Sequence, residues 1–491
     1  MSKRMDAAAA AGRRALACVA TNTSLFVFAA FLFGGVLGMT PLLWVQDQVT
    51  QFFRFVLVPW GMALALCRLL RRQDAPVCAD TAVLFALLAW ITVPYIVRFG
   101  LTFNNINAAC GYAMVFFGVY ASVKEEEPAR RERLLDTACA LFGLFSLAFG
   151  GALLFCAATV QTFAADMGEF GFGIWSRMYL CSGVHYNLTG MIAVCCALMC
   201  LAGAERARFL PVRLLYLLGA AMMMAVVVLT QSRTARYALL LALAAGAFSR
   251  VFGWMKGKAP VRALAGVLAA AAVLAGGYFG ASALCDAALG HYMRVEARRT
   301  AQAAETPEGV RMADALADLV PVRSAQAEQA APAAGQTLEA RPPVDASFSA
   351  RTEIWANLLR IWRESPKSML IGNGVGRTGS LVVRGTSQES LGAIALHNTY
   401  LQFIADFGLI GFGLQALFFL LILRRCVRAF LRGGRERRGM LPLSMLVLAA
   451  LAIGMMESAP LGEMTVTNVL LFFALGMLVP CGEEEQAARR L

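Results

Sequence analysis

The sequence predicts an all-α polytopic membrane protein of about twelve transmembrane helices, with one large loop outside the bilayer. Three observations predict it. The 491 residues are 59% hydrophobic and 15% charged, with a mean hydropathy of +0.63, whereas a soluble chain carries about a quarter charged residues. Apolar runs of roughly 20 residues recur along nearly the whole length, each sufficient to cross a hydrocarbon core of about 30 Å. The basic residues gather in short segments between those runs. Helices are the form that satisfies the backbone internally in lipid.

In chain order, the candidate spans fall at about 23–45, 48–69, 77–97, 105–123, 135–157, 181–203, 212–230, 237–253, 263–284, 399–423, 440–457 and 465–481. Lys3, Arg4, Arg13 and Arg14 precede the first run as they would in a signal peptide. The run Leu25 to Val45 is long for that role and shows no clear cleavage site, so it reads as the first span. Basic loops follow at Arg68/Arg71/Arg72, Lys124/Arg130/Arg131/Arg133, Arg206/Arg208/Arg213, Lys256/Lys258/Arg262 and Arg424 through Arg438. If every run crosses once, all five lie on the side of the N-terminus, and the positive-inside bias places both termini in the cytoplasm. The net charge of +13 is thereby accounted for as topology, which argues against a nucleic-acid partner. The thirteen cysteines lie mostly within apolar runs, as Cys195, Cys196 and Cys200 do. They read as small hydrophobes, with no CxxC or Cys/His spacing for a metal.

The chain thus divides into residues 1–285 with spans one to nine, a loop at 286–396, and residues 397–491 with spans ten to twelve and a cytoplasmic tail. The first half of the loop, Ala301 to Pro343, is rich in Ala, Glu, Gln and Pro and reads as a weakly ordered spacer. The second half is patterned. Trp355, Leu358, Leu359, Ile361 and Trp362 follow helical spacing among Arg351, Arg360 and Arg363, predicting an interfacial helix at about 351–364 that Pro366 ends. Two tryptophans on a basic amphipathic helix suit the headgroup layer, and a lid packed on the bundle is the alternative. The stretch Gly372-Asn373-Gly374-Val375-Gly376 lacks the strand and downstream acid of a dinucleotide site. It reads as a tight turn, or as a backbone nest for an anion.

Chemistry-bearing residues are few. Of the three histidines, His291 lies in the polar insertion and reads as solvated, while His185 and His397 open spans from the outer side. A histidine at a helix start has a plain structural reading, yet histidine also takes up and releases protons near neutral pH. Arg233 and Arg236 sit in a very short outer turn, where the charge bias disfavours them, so they require partners or a function. Arginine clamps phosphate through a bidentate fork; anionic lipid headgroups are the plainer partner, and Arg236 could snorkel to them. The carboxylates in or near the spans (Asp80, Asp406, Glu457, Glu463) are too sparse for a proton relay. There is no P-loop, Asp-x-Asp, GxSxG or HExxH. A metal-independent reaction on a phosphate-bearing lipid fits this inventory better than nucleotide hydrolysis. A transporter would show inverted repeats, and none is visible by eye.

Arg351-x-x-x-Trp355, Pro366, Gly372-x-Gly374-x-Gly376, His397-Asn398-x-Tyr400-Leu401 and Gly408-Leu409-x-Gly411 together resemble the signature of the O-antigen ligase/polymerase superfamily. Ser232-Arg233-Thr234 resembles its other motif, and Asn187 matches weakly; the similarity covers roughly residues 175–415. The resemblance implies a GT-C-like bundle in the bacterial inner membrane with its active site facing the periplasm. It also implies transfer of a glycan from undecaprenyl pyrophosphate, without metal or other cofactor and with inversion, to an acceptor. That acceptor is lipid A–core for a ligase, a second lipid-linked repeat for a polymerase, or a protein hydroxyl. The intact His-Asn-x-Tyr-Leu element and the single long loop favour the ligase. By the same resemblance His397, Arg351 and Arg233 are the expected catalytic residues, and Arg236, Asn398, Arg377, Asn187 and Tyr400 the expected substrate contacts.

Overall fold

The computed structural model describes residues 22–31, 52–71, 78–100, 103–165, 168–173, 177–179, 186–305, 344–375, 377–384, 396–431, 438–457 and 466–479. The basic N-terminus, the first span beyond Phe31, His185, the stretch 306–343, Gly376 and Glu463 lie outside those residues.

The helices are α1 (Thr23–Phe31), α2 (Val58–Arg71, entered through a π-helical turn Phe53–Leu57), α3 (Ala79–Phe99), α4 (Phe103–Ala113), α5 (Ser122–Glu125) and α6 (Pro128–Thr159). After a small sheet come α7 (Tyr186–Arg206), α8 (Leu210–Leu229), α9 (Arg233–Trp254) and α10 (Ala259–Glu305). The set closes with α11 (Val344–Glu364), α12 (Pro366–Ile371), α13 (Thr378–Val382), α14 (Thr399–Leu431), α15 (Met440–Gly454) and α16 (Val466–Leu478). Among the described residues, six helices (α6 to α10 and α14) are long and apolar enough to cross a membrane, and four shorter apolar helices lie in α2, α3, α15 and α16. These ten coincide with ten of the runs expected from sequence; α1 and α4 overlap the other two. The chain is an all-α polytopic membrane protein.

Local sequence sets the helix ends. Pro128 occupies the first turn of α6, where its missing N–H costs nothing. Ser232 caps α9, its side chain accepting the N–H of Ala235 at 3.3 Å. The centre of the bundle is α7, buried continuously from Thr189 to Cys200, which packs on α6, α8, α9 and α15. A wholly buried π-helical segment, Met114–Ala121, joins α4 to α5. Tyr120 there packs edge-on against Phe418 at 5.2 Å. Its hydroxyl and the Nζ of Lys124 each donate to Asp80 at 2.5 Å. Lys124 is fully buried, a position a charge holds only when paired.

Several details differ from expectation. Between the fifth and sixth candidate spans lies a three-stranded antiparallel sheet not anticipated from the sequence: β1 (Thr162–Ala165), β2 (Gly168–Gly173) and β3 (Arg177–Tyr179). The ninth span does not stop at 284; α10 runs 47 residues, about 70 Å at 1.5 Å per residue. Its extension is rich in strong helix formers, and it is braced on the open C-terminal end of α6. His291, expected to be solvated, bonds through Nε2 to the Ala158 carbonyl at 2.8 Å. Arg299 donates to the Val160 carbonyl at 2.9 Å.

The helix expected at about 351–364 begins at Val344 and turns its tryptophans inward, in keeping with the lid alternative. Ile354, Leu358 and Trp362 form a small separate core with Val382, Val383, Leu396 and Ala405. Trp355 donates through Nε1 to the Leu396 carbonyl at 2.8 Å. The Gly-rich stretch turns as expected, with Gly372 and Gly374 at positive φ, and it is also a joint between backbones. Gly372 (φ 77°) crosses Gly408 (φ 74°), the point at which α14 is broken. Asn373 and Gly374 donate their N–H groups to the carbonyls of Ala405 and Asp406 at 2.8 and 3.1 Å. Trp90 donates to the Phe407 carbonyl at 2.8 Å, satisfying a group the break exposes.

A Cβ at Gly372 would lie 2.2 Å from the Asp406 carbonyl oxygen, and one at Gly408 would lie 2.1 Å from that of Leu370. Gly372→Ala and Gly408→Ala should therefore each destabilise by more than about 1 kcal/mol. Gly413→Ala, with open space around it, should not. Thermal melting of the three variants in detergent checks this, and equal midpoints would remove the joint's structural importance.

Candidate active site

One end of the bundle brings together the starts of α7, α9 and α14 and the end of α15. Gly190 permits the first of these contacts: a Cβ there would lie 2.8 Å from the Ala235 Cβ and 3.1 Å from that of Ser232. Asn187 and Arg233 therefore stand within about one helical turn of the crossing between α7 and α9. Gly454 plays the same part for α15, with the Thr399 and Tyr400 side chains against it.

The tetrad from His397 to Tyr400 fastens α14 to α15. Asn398 is the N-cap of α14: its Oδ1 accepts the N–H groups of Tyr400 and Leu401, each at 3.0 Å. Its Nδ2 donates to the Met455 carbonyl at 3.0 Å. Thr399 Oγ1 donates to the Glu457 carbonyl at 2.6 Å, and the Tyr400 hydroxyl to that of Leu451 at 2.8 Å. These bonds position the residues at both ends of the pair, His397 and Glu457.

Glu457 is the hub. Asn187 Nδ2 donates to its Oε1 at 2.8 Å. Arg351 Nη2 lies 3.8 Å from Oε1, and His397 Nδ1 lies 3.7 Å from Oε2. The Glu457 and Arg351 side chains are 12% and 19% exposed, so their attraction is less screened than that of a surface pair. His397 adopts φ 50°, the left-handed region that non-glycine residues avoid. Its Nδ1 is buried and makes no hydrogen bond. Strained backbone and an unsatisfied ring nitrogen facing a carboxylate are features that persist where the surroundings enforce them.

Of the residues singled out from sequence, the structure thus brings His397, Arg351 and Asn187 onto one carboxylate. Asn398 and Tyr400 lie in the same place with polar atoms directed to backbone. Arg233 is half-buried in the first turn of α9 beside this group, and no carboxylate among the described residues lies within ion-pairing distance of it. Arg236 is one turn further on, its guanidinium 5.6 Å from the Tyr237 ring and its Nε buried without a hydrogen bond. Arg377 stands apart: it is exposed at the N-cap of α13, beside the joint near Asp406. That level is roughly 12 Å along α14 from Asn398.

Glu457 is the functional candidate that sequence reasoning passed over as one of a few scattered acids. A signal for it exists in the charge balance. Arginines gathered at one end of a membrane bundle require a counter-charge, and few carboxylates end an apolar run on that side.

The arrangement defines a polytopic membrane protein with a cationic and imidazole-bearing site at one end of its bundle. Residues 218–416 match the protein family described as O-antigen ligase. The match runs from within α8 through the first half of α14 and so takes in Arg233, Arg236, Arg351, Arg377, His397, Asn398 and Tyr400. Asn187 and Glu457 fall on either side of it. No curated protein matches the chain. Over residues 218–416 the match bears out the resemblance read from the motifs.

The left-handed backbone at His397 costs about 1–2 kcal/mol in an L-residue. His397→Gly should therefore melt at the same temperature as the parent or higher. Thermal melting in detergent checks this, and a clearly lower midpoint would show that the ring holds the fold together.

Proposed function

We propose that this protein transfers an undecaprenyl-pyrophosphate-linked O-antigen glycan onto lipid A–core at the periplasmic face of the bacterial inner membrane, by a metal-independent and inverting reaction. The observation that carries the reading is the convergence of Arg351, His397 and Asn187 on Glu457, beside the Arg233 turn. The basic loops at the opposite end support cytoplasmic termini and a periplasmic site. The division into spans 1–285, a periplasmic insertion 286–396 and spans 397–491 belongs to the same proposal, with α10 extending into the insertion.

In the reaction, the acceptor hydroxyl attacks the anomeric carbon as the bond from that carbon to the pyrophosphate oxygen breaks. Arg233 and Arg351 hold the pyrophosphate and stabilise the charge that grows on it as it leaves. Glu457 faces Nδ1 of His397, which leaves Nε2 to receive the acceptor's proton. The 3.7 Å separation is of the kind that closes into a hydrogen bond when substrate binds. Asn187 holds the carboxylate in place, and Asn398 and Tyr400 act through the helix junction. Arg236 extends the cationic path one turn beyond Arg233, while Arg377, which stands apart, meets the substrate away from the reacting atoms.

His397→Ala should abolish the long-chain lipopolysaccharide ladder while the protein still inserts, and a normal ladder in that variant would overturn the catalytic role. Purified protein given a defined lipid-linked glycan should modify lipid A–core in preference to a second lipid-linked repeat. Preference for the repeat would reassign it as a polymerase, and for a protein hydroxyl as an oligosaccharyltransferase. Glu457→Gln keeps an acceptor for Asn187 but removes the charge facing Arg351 and His397. It should lower kcat/KM roughly tenfold to a hundredfold, the order expected from uncoupling a half-buried charge pair. Unchanged kinetics would leave Glu457 a purely structural residue.

A further inference from the structure

At the opposite end of α7, α9 and α15 lies a cavity of about 420 Å³ whose walls come from α7, α8, α9, α10 and α15. Its lining is apolar, with Leu201, Leu217, Leu243, Val273 and Met445 supplying most of the wall. Arg213 and Arg250, both exposed, stand at its polar rim together with Glu205. Arg250 Nη2 to Arg233 spans 17 residues of α9, about 25 Å along the helix, so this cavity is separate from the His397 site.

We propose that the cavity binds an acyl chain of an anionic phospholipid, with the lipid phosphate held between Arg213 and Arg250. Small residues create the space. A Cβ at Gly246 would lie 2.5 Å from the Met445 Sδ, so α9 and α15 close tightly on one side, while Ala204 and Ala247 leave the wall thin on the other. The volume falls within the range of about 300–1,000 Å³ typical of small-molecule sites. Left empty, an apolar space of this size forfeits dispersion contacts along its whole lining, and in a bilayer the apolar groups at hand are acyl chains.

The rim selects the headgroup. Glu205 pairs with Arg250 through Oε1 and accepts the Gly439 N–H through Oε2 at 3.1 Å, which anchors Arg250 at the mouth. A guanidinium has five N–H donors, so this pairing leaves others for a phosphate. Arg213, in the first turn of α8, has no carboxylate among the described residues within ion-pairing distance. Two arginines against one glutamate leave an excess of positive charge next to exposed Leu210, Leu214 and Leu215 of α8. Basic pockets between membrane helices draw anionic headgroups from the leaflet they face.

The test uses the full-length protein, stripped of lipid in detergent and then incubated with phosphatidylglycerol or with phosphatidylcholine of the same chains. Bound lipid is counted by mass spectrometry of the intact complex. The wild type should retain one phosphatidylglycerol, at least fivefold over phosphatidylcholine. The double variant Arg213→Gln/Arg250→Gln should retain the two lipids equally, and Ala247→Trp, which fills the cavity, should retain neither. Equal retention by the wild type overturns the proposal, as does a wild-type preference in the arginine double variant. Glycerol phosphate competing as well as the whole phospholipid would show an anion site without an acyl chain, which also overturns it. The lipid-stripped arginine variant should melt and transfer glycan as the wild type does, since neither residue belongs to the His397 site.

Discussion

A carboxylate at the end of a membrane helix cannot stand alone at low dielectric, and the arrangement of this protein's polar end follows from how Glu457 is matched. Three elements distant in sequence supply the match: α7 through Asn187, α11 through Arg351 and the start of α14 through His397. Each interaction is modest, and the ion pair is long at 3.8 Å. Together they tie α11 to the starts of α7 and α14 and the end of α15. A cation and an imidazole are thereby presented on one side of a single acid, beside a second arginine at the start of α9. Such a site is suited to an anionic leaving group and a proton acceptor held in fixed relation.

The geometry of that cluster is set by side-chain bonds to backbone groups around it. Asn398 spends its carbonyl oxygen on capping α14 and its amide on the end of α15. Thr399 and Tyr400 bond to carbonyls of the α15 end. Two turns further on, the Gly372–Gly408 crossing seats α12 against the break in α14. Between these two fixings, His397 is held in a backbone conformation that it would not otherwise adopt. The small core around Ile354, Leu358 and Trp362 then fixes the direction from which Arg351 arrives.

Much of this was legible in the chain. Apolar run length gave the helices, because a lipid environment imposes a strict length and satisfies no backbone group from outside. The motifs around Arg233, Arg351 and His397 named a family type that the match over residues 218–416 bears out. Other features were hidden because they depend on partners remote in sequence. Trp355 and Trp362 carry the pattern of an interfacial helix, and only the position of Leu396 and Val382 shows that they face a protein core. His291 looks solvated until the C-terminal carbonyls of α6 are found beside it. The strands at 162–179 are too short and too rich in glycine to stand out against the apolar runs on either side.

The sequence by itself determined a polytopic helical membrane protein, the end of the bundle at which polar chemistry would gather, and most of the residues gathered there. Run length, charge placement and local motifs are properties of contiguous chain, so they can be read without a fold. Only the tertiary structure decided that Glu457 is the centre of the site. Its importance comes from Asn187, Arg351 and His397 meeting it across separations of 270, 106 and 60 residues. An isolated acid at the end of an apolar run carries no local pattern, and its meaning is fixed by what the packing of helices brings within reach.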